Sequence, residues 1–255
     1  IGPVLKNGLE LKMTDGIASR PYIDLTLWMM REFGADADWS EIDTVKVNPT
    51  PYVQRDYFIE NDWSASSYWY EMLALLGDAE ATFSLDGLMD GSKQGDSVVK
   101  YIFSLLGIKS AFRDKDDEVP TTVSIQQKLP CMLPRLDYDF SSSPDLAQTV
   151  VVACALKDIP FRFTGLASLK IKETDRIEAL KTELRKLGYV LHDTGGDTLS
   201  WDGSRCEPTM EPLDTYEDHR MAMAFAPAAI KFPGLRINDP EVVSKSYPAF
   251  WDDLR

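Results

Sequence analysis

The sequence predicts an α/β protein built from repeated units, with helices packed on mixed sheets. Three observations carry this expectation. The segments Leu27 to Gly34, Tyr101 to Gly107 and Ile177 to Gly188 each run as an apolar-periodic helix that closes on glycine, the residue that most readily takes the left-handed helix cap. Each is followed by a short aliphatic stretch, a turn and an alternating strand, as in Thr44-Val45-Lys46-Val47 and Thr121-Thr122-Val123-Ser124-Ile125. The glycines recur at intervals of roughly 70 to 80 residues, longer than solenoid repeats and suited to a small α/β unit duplicated within one protein.

Along the chain, the apolar Ile1-Gly2-Pro3-Val4-Leu5 reads as the tail of an element already under way, with no initiating methionine. The expectation is that an N-terminal part of a longer protein is absent. Helices are predicted to start at Asp62, Asp145, Asp175 and Asp218, each an aspartate placed just before a helix-favouring run. Asp175 and Glu178 have the spacing of a capping box. Several such helix starts aimed at one place would make an anion site, because each offers free N–H groups and a partial positive charge.

A chain of 255 residues with 44% hydrophobic content can bury one large core or two smaller ones. Its net charge of -14 argues against nucleic acid, whose binding needs clustered Lys and Arg. Any anionic ligand must be held by a few local cations working against the overall field. Cys131, Cys154 and Cys206 are widely spaced, which predicts no disulfide framework and fits a reducing cytoplasm. No apolar run approaches the roughly 18 residues of a membrane span. Two histidines and three cysteines without ligand spacing give a zinc site little support.

Four stretches could carry chemistry. Lys170-Ile171-Lys172-Glu173-Thr174-Asp175-Arg176 gathers three cations and two acids at a helix start, although a solvated surface would look similar. Tyr216-Glu217-Asp218-His219-Arg220 leads into a helix of small residues, with His219 read as a structural histidine ahead of a catalytic one. In Ser141-Ser142-Ser143-Pro144-Asp145, a helix dipole would keep Asp145 ionised and able to accept a proton, against the plainer role of cap. Asp62-Trp63-Ser64-Ala65-Ser66-Ser67-Tyr68 offers hydroxyls for phosphate or for capping.

Taken in order, these stretches resemble the 5-enolpyruvylshikimate-3-phosphate synthase family. The resemblance rests on Ser19-Arg20-Pro21-Tyr22-Ile23-Asp24, Asp62 to Tyr68, Ser92-Lys93-Gln94-Gly95-Asp96 and Pro144-Asp145. It continues through Lys172-Glu173-Thr174-Asp175-Arg176-Ile177, Glu183-Leu184-Arg185-Lys186-Leu187-Gly188, Asp218-His219-Arg220-Met221-Ala222-Met223 and Ser244-Lys245-Ser246-Tyr247-Pro248. Nearly the whole chain is covered.

The resemblance implies the enolpyruvyl transferase fold, two domains each of three βαβαββ units with the active site between them. Residues 1–58 would be the last unit of one domain, and 59–255 the main C-terminal domain without its N-terminal strand. It implies transfer of the enolpyruvyl group of phosphoenolpyruvate to the 5-hydroxyl of shikimate-3-phosphate, with release of phosphate. No metal or organic cofactor, no nucleic acid and no membrane is implied; the substrates are the partners, and the parent enzyme is expected to be a cytoplasmic monomer.

Carried onto this chain, Asp145 and Glu173 would be catalytic, the first accepting the hydroxyl proton and the second acting at the enolpyruvyl methylene. Ser19, Tyr22, Asp145, Ser168 and Lys172 would bind shikimate-3-phosphate. Arg176, Arg220 and Lys245 would hold phosphoenolpyruvate, since arginine forks suit carboxylate and phosphate. Ser168 stands where many relatives carry an asparagine or similar contact. The family's glycine-rich N-terminal stretch, with its catalytic lysine and a phosphate-binding arginine, has no counterpart here. The competing expectations are an inactive fragment or binding module that retains part of the site, and a related transferase acting on a UDP-sugar, whose family lacks the Lys-Glu-Thr-Asp-Arg stretch.

Overall fold

The computed structural model describes residues 1–14, 16–114, 119–128 and 133–255. The chain begins with strand β1 (Leu9–Lys12), helix α1 (Arg20–Glu32) and strands β2 (Ala37–Glu41) and β3 (Thr44–Val47). These form an antiparallel sheet of order β1-β3-β2. Its small core is Leu27, Ala37, Val45 and Val47, the alternate strand positions and one helix position facing each other.

After an extended segment come α2 (Trp63–Leu76), β4 (Thr82–Leu88), α3 (Val99–Leu105), β5 (Ile108–Phe112) and β6 (Thr121–Gln127), with sheet order β4-β6-β5. Then follow β7 (Leu136–Asp139), α4 (Ala147–Leu156), β8 (Phe161–Thr164), α5 (Arg176–Lys186), β9 (His192–Thr194) and β10 (Thr198–Trp201). Their sheet has order β7-β8-β10-β9, and β7 runs parallel to β8 while the other pairs are antiparallel. Helices α6 (His219–Phe225) and α7 (Phe250–Asp253) close the chain.

The duplication read from the sequence is present. Each of β1-α1-β2-β3, β4-α3-β5-β6 and β8-α5-β9-β10 places its last strand in the middle of an antiparallel triplet. In each, the predicted glycine follows the helix at positive φ: Gly34 at 84°, Gly107 at 93° and Gly188 at 94°, values that a Cβ would make costly. The second large core is centred on α2, α4 and α6. All of α4 is buried, as its uniformly apolar sequence requires.

The third copy carries an additional parallel strand, β7, delivered ahead of α4. In the second copy α2 occupies the place of α4, yet among the described residues no strand pairs with β4 on the side away from β6. A cleft of about 810 Å³ lies there, lined by α2 residues including Asp62 and Trp69, by β4 from Thr82 to Asp86, and by Ser246, Tyr247 and Asp253.

Three of the four predicted helix starts hold. Asp62, Asp175 and Asp218 each accept a backbone N–H from their own first turn. Asp145 does not: Pro144–Leu146 forms a 3-10 turn and α4 begins only at Ala147, so Asp145 lies inside the turn. Proline's fixed φ starts the turn, and the carboxylate is drawn toward neighbouring cations instead of its own helix. Of the predicted capping box only the Asp175 half is made, at 3.1 Å to the N–H groups of Ile177 and Glu178; the Glu178 carboxylate accepts from Lys181 instead. Cys206 is a half-buried free thiol and Cys154 is buried in α4, and Cys131 lies outside the described residues. No helix among the described residues is long and apolar enough to cross a membrane.

Candidate active site

The starts of α4, α5 and α6 converge, as the sequence could not show, and the chemistry-bearing residues meet between them. The 3-10 turn before α4 presents Asp145. The irregular stretch before α5 presents Lys172 and Glu173, and the first residue of α5 is Arg176. Asp218 caps α6 by accepting the Arg220 N–H at 2.9 Å, which fixes where the Arg220 side chain leaves the helix.

Asp145 is the centre of positive charge. One oxygen accepts from Arg176 Nη1 at 3.1 Å and lies 3.3 Å from Lys172 Nζ; the other accepts from Arg220 Nη2 at 3.0 Å. Burial pushes the Asp145 carboxyl up, but Arg220, Lys172 and Arg176 outweigh it and hold it below the usual carboxylate range. Glu173 is the second centre, accepting from Arg176 Nη2 at 2.8 Å and from Lys245. The Lys245 hydrogen bond, with help from the Arg176 charge, brings Glu173 down to about 2 against its partial burial.

Arg176 is the most enclosed cation of the group, 1% exposed. Its Nε and Nη2 donate to the two oxygens of fully buried Asp218 at 2.6 and 3.2 Å, which leaves the remaining fork directed at Asp145 and Glu173. Arg220 also bonds the buried Tyr68 hydroxyl, whose pKa burial pushes up to about 12. Burial and the adjacent Arg220 lower the His219 pKa, and its Nδ1 has no hydrogen-bond partner among the described residues, the Asp218 carboxylate lying 4.0 Å away.

Ser19 and Tyr22 approach from the first unit. Ser19 precedes α1 at φ 54° and its N–H donates to the Ser141 carbonyl at 3.0 Å, tying α1 to the loop that carries Asp145. Tyr22 packs against Gly95, where a Cβ would lie 3.3 Å from its ring. Its hydroxyl bonds Ser64 and Asp96, and burial beside the charges of Asp96 and Asp145 drives its pKa up. Ser168 is half-buried in the 3-10 turn Ala167–Ile171 and has no hydrogen bond to this group among the described residues.

The sequence reading missed two members of the site. Asp96 is fully buried, bonded to Ser64, and pushed by burial up to about 6, partly opposed by the Ser64 bond and the Arg220 charge. Asp218 was read as a cap alone, and its second task of holding Arg176 was not. The available signal was the position of Asp96 in the quoted Ser92 to Asp96 stretch. Apart from Ser64, the serine hydroxyls of the α2 start serve the helix. Ser66 and Ser67 donate back to the carbonyls of Trp63 and Ser64 at 2.7 Å, and Ser67 also meets Thr149 at 3.0 Å.

Among the described residues no three metal-ligating side chains cluster. What the site offers is four cations, Lys172, Arg176, Arg220 and Lys245, around two carboxylates able to move protons. That is the equipment for an anionic substrate undergoing proton-coupled chemistry.

A family-wide profile described as EPSP synthase (3-phosphoshikimate 1-carboxyvinyltransferase) matches residues 1–254. The chain is 55% identical to a 3-phosphoshikimate 1-carboxyvinyltransferase of Bacteroides fragilis, a match covering 100% of this chain and 60% of that protein. It is 34% identical to one of Idiomarina loihiensis, over 99% of this chain and 56% of that protein. The fold is similar to a solved EPSP synthase from Acinetobacter baumannii, with a TM-score of 0.68, 19% identity, and cover of 95% of this chain and 55% of that one. The enolpyruvyl transferase NikO from Streptomyces tendae gives a TM-score of 0.63 at 18% identity, over 99% of this chain and 56% of that one. The chain thus spans about 60% of the length of the curated relatives it matches.

Proposed function

The chain belongs to the EPSP synthase family, and from that premise we propose that it forms the larger part of an enzyme joining phosphoenolpyruvate to shikimate-3-phosphate. The observation that carries this reading is the convergence of Arg176, Arg220, Lys172 and Lys245 on Asp145 and Glu173. In this arrangement the two carboxylates stand where the anionic groups of substrates would bind.

Arg176, Arg220 and Lys245 hold the carboxylate and phosphate of phosphoenolpyruvate. Lys172, Ser19 and Tyr22 face shikimate-3-phosphate, with Ser168 at the margin. Asp145 accepts the proton of the 5-hydroxyl as its oxygen bonds to the enol carbon, while the methylene carbon gains a proton and becomes methyl. The tetrahedral intermediate then loses inorganic phosphate as that methyl gives a proton back, restoring the double bond. Glu173 takes up a proton from solvent when phosphoenolpyruvate draws Lys245 and Arg176 away from it, gives that proton to the methylene carbon in the addition, and takes one back from the methyl in the elimination; the proton held by Asp145 leaves with the phosphate.

Substrate binding itself activates the base. The cations that hold Asp145 below the usual range turn to the incoming phosphate and carboxylate. Its basicity then rises where the hydroxyl arrives.

The domain reading belongs to the same proposal. Residues 1–58 close one domain and 59–255 form most of the other, and the strand lacking beside β4 comes from the part of the relatives' length that this chain does not span. The cleft along β4 is its seat, and by analogy with β7 it would run parallel to β4 and end at the start of α2.

The deciding experiment measures phosphate release from phosphoenolpyruvate with shikimate-3-phosphate. It uses the chain alone and then the chain mixed with, or fused to, the preceding segment of a relative. Activity that depends on shikimate-3-phosphate supports the function, and its appearance only after complementation supports the domain reading. No release in either form favours an inactive binding module.

A further inference from the structure

Helix α5 holds the segment Pro212 to Asp218 at two separate points. At its start, Arg176 grips Asp218. Two turns further on, the buried Glu183 accepts the Tyr216 hydroxyl at 2.5 Å through one oxygen, and the Asp214 N–H at 3.0 Å through the other. Lys186 adds to this second grip, lying 2.9 Å from Glu183 and donating to the Pro212 carbonyl at 3.1 Å and the Asp214 carboxylate at 2.9 Å.

Between the two grips the backbone is strained. Tyr216 and Glu217 stand side by side at φ 55° and 57°, the left-handed region that residues with a Cβ seldom occupy. Such a pair persists only where its surroundings over-determine it. The next residue is Asp218, which both orients Arg176 and caps the helix that carries Arg220.

We infer that Glu183 is a positioning residue for the anion-binding arginines. By anchoring Tyr216 and Asp214 it holds the left-handed turn that sets Asp218, and through Asp218 the forks of Arg176 and Arg220. This deepens the functional reading above and rests on it for the identity of the anion. A carboxylate suits this place best. Both oxygens accept, from a hydroxyl, a backbone N–H and an ammonium; an amide would forfeit the ion pair with Lys186, and could keep the Asp214 N–H only by turning its NH2 to the Tyr216 hydroxyl and reversing that bond.

The test compares wild type with Glu183→Gln and Tyr216→Phe. The Nε–H proton of Arg176 is followed by NMR in this chain, and KM for each substrate is measured in the complemented enzyme. Wild type should show a slowly exchanging Arg176 Nε–H. Both variants should exchange it at least about tenfold faster, because the Asp218 contact is loosened. Both should raise KM for phosphoenolpyruvate about tenfold while KM for shikimate-3-phosphate stays within about twofold. The double variant should be no worse than Glu183→Gln, since the two side chains act as one unit.

An unchanged Arg176 signal and an unchanged KM for phosphoenolpyruvate, with only a lower melting temperature, would overturn the inference and leave Glu183 a structural residue. If wild type ignores phosphoenolpyruvate, the functional reading fails. The Arg176 proton still decides the positioning role in that case.

Discussion

Arg176 and Asp218 face each other through two hydrogen bonds, 2.6 and 3.2 Å long, with 1% and 0% of their surfaces exposed. A pair so enclosed contributes little net stability by existing and costs much when halved, because the remaining charge has no water to turn to. Asp218→Asn should therefore destabilise the fold by about 3–5 kcal/mol, read as a lower urea midpoint. A midpoint equal to wild type would mean that Arg176 finds Asp145 and Glu173 sufficient.

Arg220 donates to Asp145 at 3.0 Å from the start of α6. Removing a charged hydrogen bond to an anion costs about 1.5–3 kcal/mol, so Arg220→Ala in the complemented enzyme should weaken phosphoenolpyruvate by about 10- to 100-fold. Shikimate-3-phosphate should be far less affected. Equal losses for both substrates would remove Arg220 from the phosphoenolpyruvate subsite.

Asp145→Asn keeps the shape of the turn and removes the proton acceptor. Turnover should fall by about 10²- to 10⁴-fold, the range for a general base, with KM values changed much less. Asp145 is held below the usual carboxylate range in the free protein, so it stays ionised throughout the neutral range. It should therefore add no acidic limb to the kcat/KM profile between pH 5 and 8. Turnover equal to wild type in Asp145→Asn would exclude it as the base.

Glu71 is buried in α2, and neither of its oxygens has a partner among the described residues. Burial raises its pKa well above the ordinary value, so the folded state keeps a proton that the unfolded chain has released. Stability must then fall as pH rises from the unfolded pKa toward the folded one. Asp96, pushed up to about 6 by burial, acts in the same direction between about pH 4 and 6. Glu71→Leu should raise stability by about 1–3 kcal/mol by removing an unsatisfied buried group, and its advantage over wild type should widen with pH. A melting-temperature difference that is flat from pH 5 to 9 would contradict the shift.

The repeat was legible because its signals are local. A helix that ends at Gly34, Gly107 or Gly188 needs a residue free to adopt positive φ, and an alternating strand such as Thr44–Val47 needs period-two burial. Both constraints leave their mark on adjacent residues. Only the helix-start expectation at Asp145 fails, because an aspartate before a helix looks the same whether it turns back to its own N–H groups or outward to an arginine. Cations 31 and 75 residues away decided the matter.

By itself, the sequence determined the unit, the approximate helix limits, and the residue types that could bind an anion or move a proton. Only the tertiary structure decided that three helix starts point at one place, that Asp218 fixes Arg176 as well as capping α6, and that Asp96 and Glu183 stand behind Tyr22 and Tyr216. The division has a physical basis. Backbone geometry and hydrophobic period are set within a few residues, whereas the electrostatics of a site depend on which charges burial brings within about 3 Å, and those come from segments far apart in the chain.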